Sequence, residues 1–272
     1  MADFELREYC TGDLPALKAL WLDCFEEKCE YVEDFLSLLP RTGSAVAALC
    51  GAALCGSAYV LDDMFLMAHG KRQRCALIYA VAVDKSHRRL GMGEALVKRA
   101  VELAYERGAE IVTVLPAEDS LYGWYERSGG FVCRLYRQSL ETEAADMAMV
   151  DIISPEEYAK RRQELIKGEN TVIYGAACLE LQQALCRSYG GALYSCAGAI
   201  AAAYADGDVG IIQELLYPEG MDAELFAAAV GFEMGVEQVR LLVPGDESKG
   251  KKYLAALGAE LPDNCCWPLA FD

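Results

Sequence analysis

The sequence predicts an α/β fold of the α+β kind, a mixed sheet with covering helices, present as two tandem domains of which the second is degenerate. Three observations predict it. Apolar runs of strand length, such as CALIYAVAV at 75–83, alternate with amphipathic helical stretches, such as GEALVKRAVELAYERG at 93–108. The second half repeats the order of the first, IVTVLPAEDS (111–120) being echoed by VRLLVPGDES (239–248). Apolar residues make up 54% of the 272 residues, enough for packed cores and too many for a disordered chain.

Each element follows from local pattern. Residues 4–9 read as a first strand. DLPALKALWLDCFEEK has Leu14, Leu17, Leu20 and Trp21 at helical spacing, with Asp13 as N-cap. EYVEDFLSLL reads as a second helix, stopped by Pro40. SAVAALCGAALCGSAYVLDDMFLMA, punctuated by Gly51 and Gly56, reads as a hairpin. CALIYAVAV has no polar face, so it is a buried central strand. The helix 93–108 presents Leu96, Ala100, Leu103 and Ala104 on one side and ends at Gly108. EIVTVLP is a strand, LYGWYERS a short helix, FVCRLYRQSL a strand and AMVDII a further one. SPEEYAKRRQELIK (154–167) reads as a connecting helix, with Ser154 as cap, Pro155 at its first position and Glu157 three after the cap.

The repeat holds position by position. At one constant offset Pro116 falls on Pro244, Ser120 on Ser248, Tyr125 on Tyr253 and Gly130 on Gly258. The helix 93–108 faces DAELFAAAVGFEMG, and the hairpin faces GGALYSCAGAIAAAYADGD. The expected division is 1–152 for a ligand-binding domain, 153–170 for the connecting helix and 171–272 for the degenerate copy.

Composition excludes several functions. A net charge of −17 disfavours nucleic acid, whose phosphates need a basic face, and favours a cationic ligand. No apolar run reaches the roughly 18 residues a membrane span needs, and MADFELREYC is no signal peptide, so a cytoplasmic protein is expected. The twelve cysteines include no C-x-x-C, and only His69 and His87 accompany them. Spacings such as Cys24 to Cys29 and Cys50 to Cys55 do not match a zinc site, so no metal is expected and the thiols read as core filler. Oligomeric state leaves no mark in the sequence.

Against this acidic background the stretch SHRRLGMGEALVKRA (86–100) stands out. A buried strand leads through Lys85, Arg88 and Arg89 to two glycines and a helix start. The first N–H groups of a helix lack intrahelical partners, and the dipole places partial positive charge there. Glycine lets backbone approach a phosphate closely, and arginine adds charge-assisted hydrogen bonds. A diphosphate fits. The P-loop pattern G-x-x-x-x-G-K-[ST] is absent. A Rossmann turn is also excluded, because both arginines stand between Val83 and Gly91 and Leu96 occupies the third glycine position. The second copy has LLYPEGMDAEL here, without arginine and with Glu219 at the glycine position, so only the first copy is expected to bind an anion.

Arg88-x-x-Gly91-x-Gly93 after the strand end Val81-Ala82-Val83 resembles the acetyl-CoA signature of the GNAT superfamily of N-acyltransferases. YERSGGF (125–131) resembles that superfamily's Y-x-x-x-G-F segment with one extra glycine. The resemblance runs over roughly residues 4–140. LWLDCFEEKCEYVEDFL, VAVDKSHRRLGMG and the degenerate second copy resemble the tandem acetyltransferases related to the enhanced-intracellular-survival (Eis) group, without that group's third domain.

The resemblance implies two tandem GNAT-like domains and a transferase that moves an acetyl group from acetyl-CoA to a primary amine. The strand after 110 should splay from its neighbour, and Val81, Ala82 and Val83 should pair their backbone with the pantetheine arm. The amides of Arg89, Leu90, Gly91, Met92, Gly93 and Glu94 should hold the pyrophosphate, helped by the Arg88 and Arg89 side chains. Tyr125 is the expected general acid for the leaving thiolate, with Tyr122, one helical turn away, as its rival. The base is left among Glu118 and Asp119 beyond a strand end, the C-terminal carboxylate at Asp272, which serves this purpose in the Eis-like group, and a water path. With no cysteine in the motif, transfer is expected to be direct, in a ternary complex. The acidic balance favours a cationic acceptor, a small molecule or a peptide. The alternative is a non-catalytic acyl-CoA-binding sensor using the same loop.

Overall fold

The computed structural model describes residues 4–166, 170–258, 261–262 and 265–268. In chain order its strands and helices are β1 (Glu5–Glu8), α1 (Leu14–Cys24), α2 (Cys29–Thr42), β2 (Gly43–Cys50), β3 (Ala53–Ala68), β4 (Lys71–Val83), α3 (Met92–Glu106) and β5 (Ile111–Val114). They continue with α4 (Asp119–Gly129), β6 (Val132–Glu143), β7 (Asp151–Ile152), α5 (Pro155–Leu165), β8 (Thr171–Tyr174), α6 (Ala176–Ser188) and β9 (Ala192–Cys196). The last are β10 (Ala199–Asp206), β11 (Val209–Leu216), α7 (Ala223–Met234), β12 (Gln238–Gly245) and β13 (Lys251–Gly258). No described helix is long and apolar enough to cross a membrane.

The chain divides into two compact units. The first holds the residues up to Leu66, Lys71–Arg134 and the segment that begins at Lys252. Its strands run in the order β1-β2-β3-β4-β5-β13, with β4 and β5 parallel and β5 and β13 antiparallel. The two-residue strand period sorts side chains onto two faces. Val46, Val60, Ile78 and Val112 point to α3, where Leu96, Val97, Ala100 and Leu103 complete a buried cluster. Tyr59, next to Val60, turns to the other face and meets Trp21 of α1 and Phe35 of α2, ring centroids 4.9 and 5.1 Å away. The apolar stripe of helix 93–108 thus covers one face of this sheet.

The second unit holds Met67–Gly70, Leu135–Lys251 and the described residues 265–268. Its strand order is β6-β12-β11-β10-β9-β7, with β11 and β12 parallel. α7 lies on it, burying Phe226, Ala227 and Val230 with Ala201, Ile212 and Val239. Hairpin, crossing helix and parallel strand follow in the same order as in the first unit. The mixed sheets with covering helices are the α/β fold that the sequence predicts.

The units are not contiguous in sequence, unlike the expected division at 152 and 171. β6 follows α4 but pairs with β12, Tyr136 opposite Gly245 through Glu143 opposite Gln238. β13, near the chain end, pairs with β5, Ala255 opposite Val114 through Gly258 opposite Ile111. Each unit is therefore completed by a strand from the other half of the sequence.

The structure also differs from the sequence expectation at several local points. α2 does not stop at Pro40 but runs to Thr42, carried on by the buried face Tyr31, Val32, Phe35, Leu36 and Leu39. Asp13 stands at the N-cap position of α1, as read, but its side chain makes no capping hydrogen bond to that helix. Its carboxylate accepts from Arg7 Nη1 and Nη2 (2.6 and 2.8 Å) and from the Cys10 amide (2.7 Å). AMVDII yields only the two residues of β7. The connecting helix begins as read, with Ser154 Oγ accepting from the Glu157 amide, but α5 also builds core. Tyr158 Oη and Arg162 Nε both donate to the buried carboxylate of Glu214, at 2.6 and 3.0 Å.

Candidate active site

The site begins where β4 and β5 part. Their parallel pairing runs from Cys75–Ile111 to Ile78–Val114 and no further. Ala80, two residues on, has φ 44°, a left-handed conformation that a residue with a Cβ adopts only under constraint. Val81, Ala82 and Val83 therefore lie past the splay, beyond the last β4–β5 pair.

The chain then turns through a short 3-10 segment, Lys85–His87, capped by Asp84 Oδ1, which accepts from the Ser86 amide at 2.9 Å. Hydrogen bonds from Ser86 and His87 hold the Asp84 carboxyl down at about 2. Arg89 (φ 65°) and Gly91 (φ 84°) both sit in the left-handed region, where a turn of the chain is made. Gly91 is the N-cap of α3, and no side chain caps that helix. The first amides of α3 are thus left for an external acceptor. The second unit contrasts with this. There Asp222 caps α7 with its own carboxylate, accepting from the Glu224 and Leu225 amides at 3.0 and 3.3 Å.

One cavity of about 510 Å³ gathers Val81, Ala82, Val83, Arg88, Arg89, Gly91, Gly93, Glu94 and Tyr125. Leu90 is half exposed at the loop tip and Met92 is buried in the core, and neither lines the cavity. Arg88 folds back, its Nε donating to the Val83 carbonyl at 3.0 Å, while Arg89 is exposed. Glu94 is drawn aside by Lys98, Nζ 2.7 Å from its carboxylate.

Tyr125 of α4 is only 7% exposed and packs edge-on against Trp124 and Phe131. Among the described residues its hydroxyl makes no hydrogen bond, and burial pushes it up to about 12. It is therefore a protonated phenol facing a groove. Its rival Tyr122 is equally buried but does not line the cavity, and the Lys252 ammonium lies 5.4 Å from its ring centre. Glu118 and Asp119 are exposed at the start of α4 and do not line the cavity either. Asp272 lies outside the described residues.

Four further residues line the cavity, none of them singled out individually from the sequence as a site residue: Cys24, Phe25, Leu121 and Trp124. Trp124 is the near wall, since a Cβ on Gly93 would stand 3.4 Å from its ring. Its signal was its place beside Tyr125. Cys24 Sγ donates to the Val83 carbonyl (3.6 Å) and accepts from Arg88 Nη2 (3.8 Å), a contact between segments distant in sequence that no local pattern reports.

Residues 5–131 match the sequence model of the acetyltransferase (GNAT) domain. The comparison with curated proteins finds no match. Among solved structures, a conserved protein of unknown function from Enterococcus faecalis V583 is similar at 15% identity and TM-score 0.72, over 95% of this chain and 73% of that one. Eis1 from Mycobacterium abscessus is similar at 13% identity and TM-score 0.63, over 94% and 73%. A GCN5-related N-acetyltransferase from Sphaerobacter thermophilus is similar at 15% identity and TM-score 0.55, over 97% and 98%. At these identities what is shared is the fold.

Proposed function

We propose that residues 5–131 form a GNAT acetyltransferase domain that moves an acetyl group from acetyl-CoA to a primary amine, by direct attack in a ternary complex. One observation carries this reading. The uncapped start of α3, the strand end past the β4–β5 splay and the Tyr125 phenol line a single cavity. The pyrophosphate is bound by the amides of Arg89 to Glu94 and by the guanidinium groups of Arg88 and Arg89. Arg88 exchanges its bond to the Val83 carbonyl for a phosphate oxygen, a charge-assisted and stronger partner. The pantetheine arm runs along Val81–Val83, which brings the thioester toward Tyr125.

The neutral amine attacks the thioester carbonyl, forming a C–N bond. Collapse of the tetrahedral adduct breaks the C–S bond, and the departing thiolate takes the Tyr125 proton. The attacking nitrogen gives up its own proton to solvent or to a base, and the phenolate is reprotonated from water. The acceptor is cationic, as the net charge of −17 favours. The second unit is a degenerate copy that kept the fold. Asp222 satisfies the helix start there, and LLYPEGMDAEL supplies no arginine.

The test is thiol release from acetyl-CoA against a panel of polyamines, aminoglycosides and lysine peptides. Release that depends on one amine class supports the reading and names the acceptor. Acetyl-CoA binding without release from any amine would move the protein to the non-catalytic sensor reading.

A further inference from the structure

Among the described residues, Cys50, Cys55 and His87 bring two thiols and an imidazole together, with one ligand atom from each lying within 4.8 Å of the others. Their spacing along the chain hides this, because the cysteines come from the β2–β3 hairpin and the histidine from the turn before α3. The hairpin register explains the meeting. Ala48 pairs with Gly56 but Leu49 pairs with Leu54, so Cys55 is the unopposed residue of a β-bulge. A bulge re-aims a side chain, and here it gives Cys55 the neighbourhood of Cys50, the last residue of β2. The turn is tied to the same strand by the Asp84 amide, which donates to the Cys55 carbonyl at 2.8 Å.

We propose that Cys50, Cys55 and His87 form a zinc(II) site with one open coordination position. Two thiolates and an imidazole are a zinc donor set. Tetrahedral zinc holds such atoms about 3.5–3.8 Å apart, so the trio needs to close by only about 1 Å. The second shell is already present. His87 Nδ1 lies 2.9 Å from both Asp84 Oδ1 and Ser86 Oγ; with Nδ1 donating to the Asp84 carboxylate, as in the carboxylate–histidine pairs of metal sites, Nε2 would carry the lone pair for zinc. Cys55 is buried while Cys50 and His87 are half-buried, so the trio is partly reached by solvent from the Cys50 and His87 side. None of the three lines the proposed acetyl-CoA cavity, so the site stands apart from the acyl-transfer reading.

The test uses the full chain under reducing conditions, stripped with a chelator and titrated with zinc chloride alone in competition with a chromophoric chelator. Cobalt(II) serves as the spectroscopic probe. The expected result is one equivalent of zinc per chain and thiolate-to-cobalt charge-transfer absorption. Cys50→Ser and His87→Gln, both at half-buried positions, should each abolish that absorption and weaken zinc binding at least about 100-fold. Asp84→Asn should weaken zinc binding about 10–100-fold. Cys266→Ser, in the other neighbouring thiol pair, should leave it unchanged. Zinc uptake that survives both Cys50→Ser and His87→Gln would overturn the proposal. So would no uptake by a wild-type chain whose thiols titrate as free.

Discussion

Replacing Tyr125 by phenylalanine isolates one atom of the proposed mechanism. The phenol makes no hydrogen bond among the described residues, so its removal leaves no partner unsatisfied. The ring keeps its contacts with Trp124 and Phe131, centroids 4.7 and 6.1 Å away. Stability should therefore change by less than about 0.5 kcal/mol, and acetyl-CoA affinity should stay the same. What is lost is the proton for the leaving thiolate, which is worth about 10²–10⁴ in kcat, or about 2.7–5.5 kcal/mol of barrier. The pH profile sharpens the expectation. Burial raises the phenol to about 12 from 10.0, so it stays protonated through the working range. Turnover should climb as the acceptor ammonium deprotonates and should not fall below about pH 11 through loss of the acid. The same shift makes a contribution to stability that is full below the unfolded value of 10.0 and is lost as pH rises through about 12. Steady-state kinetics with saturating amine, paired with calorimetric acetyl-CoA binding, reads both quantities. A Tyr125→Phe enzyme that keeps full kcat across pH would refute the assignment of Tyr125 as acid.

Other outcomes follow from the same geometry. Gly91→Ala and Gly51→Ala place a Cβ on left-handed backbone (φ 84° and 63°) with nothing within 4 Å, so both carry about 1–2 kcal/mol of pure conformational strain. Thermal unfolding should register both, whereas only Gly91→Ala, at the start of α3, should also weaken acetyl-CoA binding. Cys24→Ser should retain turnover, because direct transfer needs no acyl-thioester on the protein, and mass spectrometry of the enzyme mixed with acetyl-CoA should find no acetylated Cys24. Arg162→Met should destabilise by about 3–5 kcal/mol, since it strands the Glu214 carboxylate, 2% exposed, without its counter-ion. Denaturant unfolding should then show the Arg162→Met/Glu214→Leu pair recovering part of that loss.

What the sequence reveals depends on how far apart the cooperating residues lie. The loop from Arg88 to Gly93 is legible because strand end, glycines and helix start are consecutive, and the α3 stripe is legible because its period is local. The splay is less so. It is opened at Ala80, and nothing in the letters V-A-V marks an alanine with positive φ. Pro40 misleads because tertiary burial of the α2 face outweighs one lost helical hydrogen bond. The exchange of β6 and β13 between units is invisible to a reading that assumes neighbours in sequence pair in space. The Cys50, Cys55 and His87 trio is hidden for the same reason, with a bulge at Cys55 adding an offset that no spacing rule anticipates.

The proposed activity requires that the first unit's loop be an acetyl-CoA site. The most direct test is a calorimetric titration of the wild-type chain and the Arg88→Glu/Gly91→Asp variant with acetyl-CoA. Wild type should bind one equivalent. The variant, with one carboxylate in place of a phosphate-binding guanidinium and another at the start of α3, should bind at least about 100-fold more weakly, a loss of about 2.7 kcal/mol. Equal binding by the two proteins, or none by wild type, would contradict the claim.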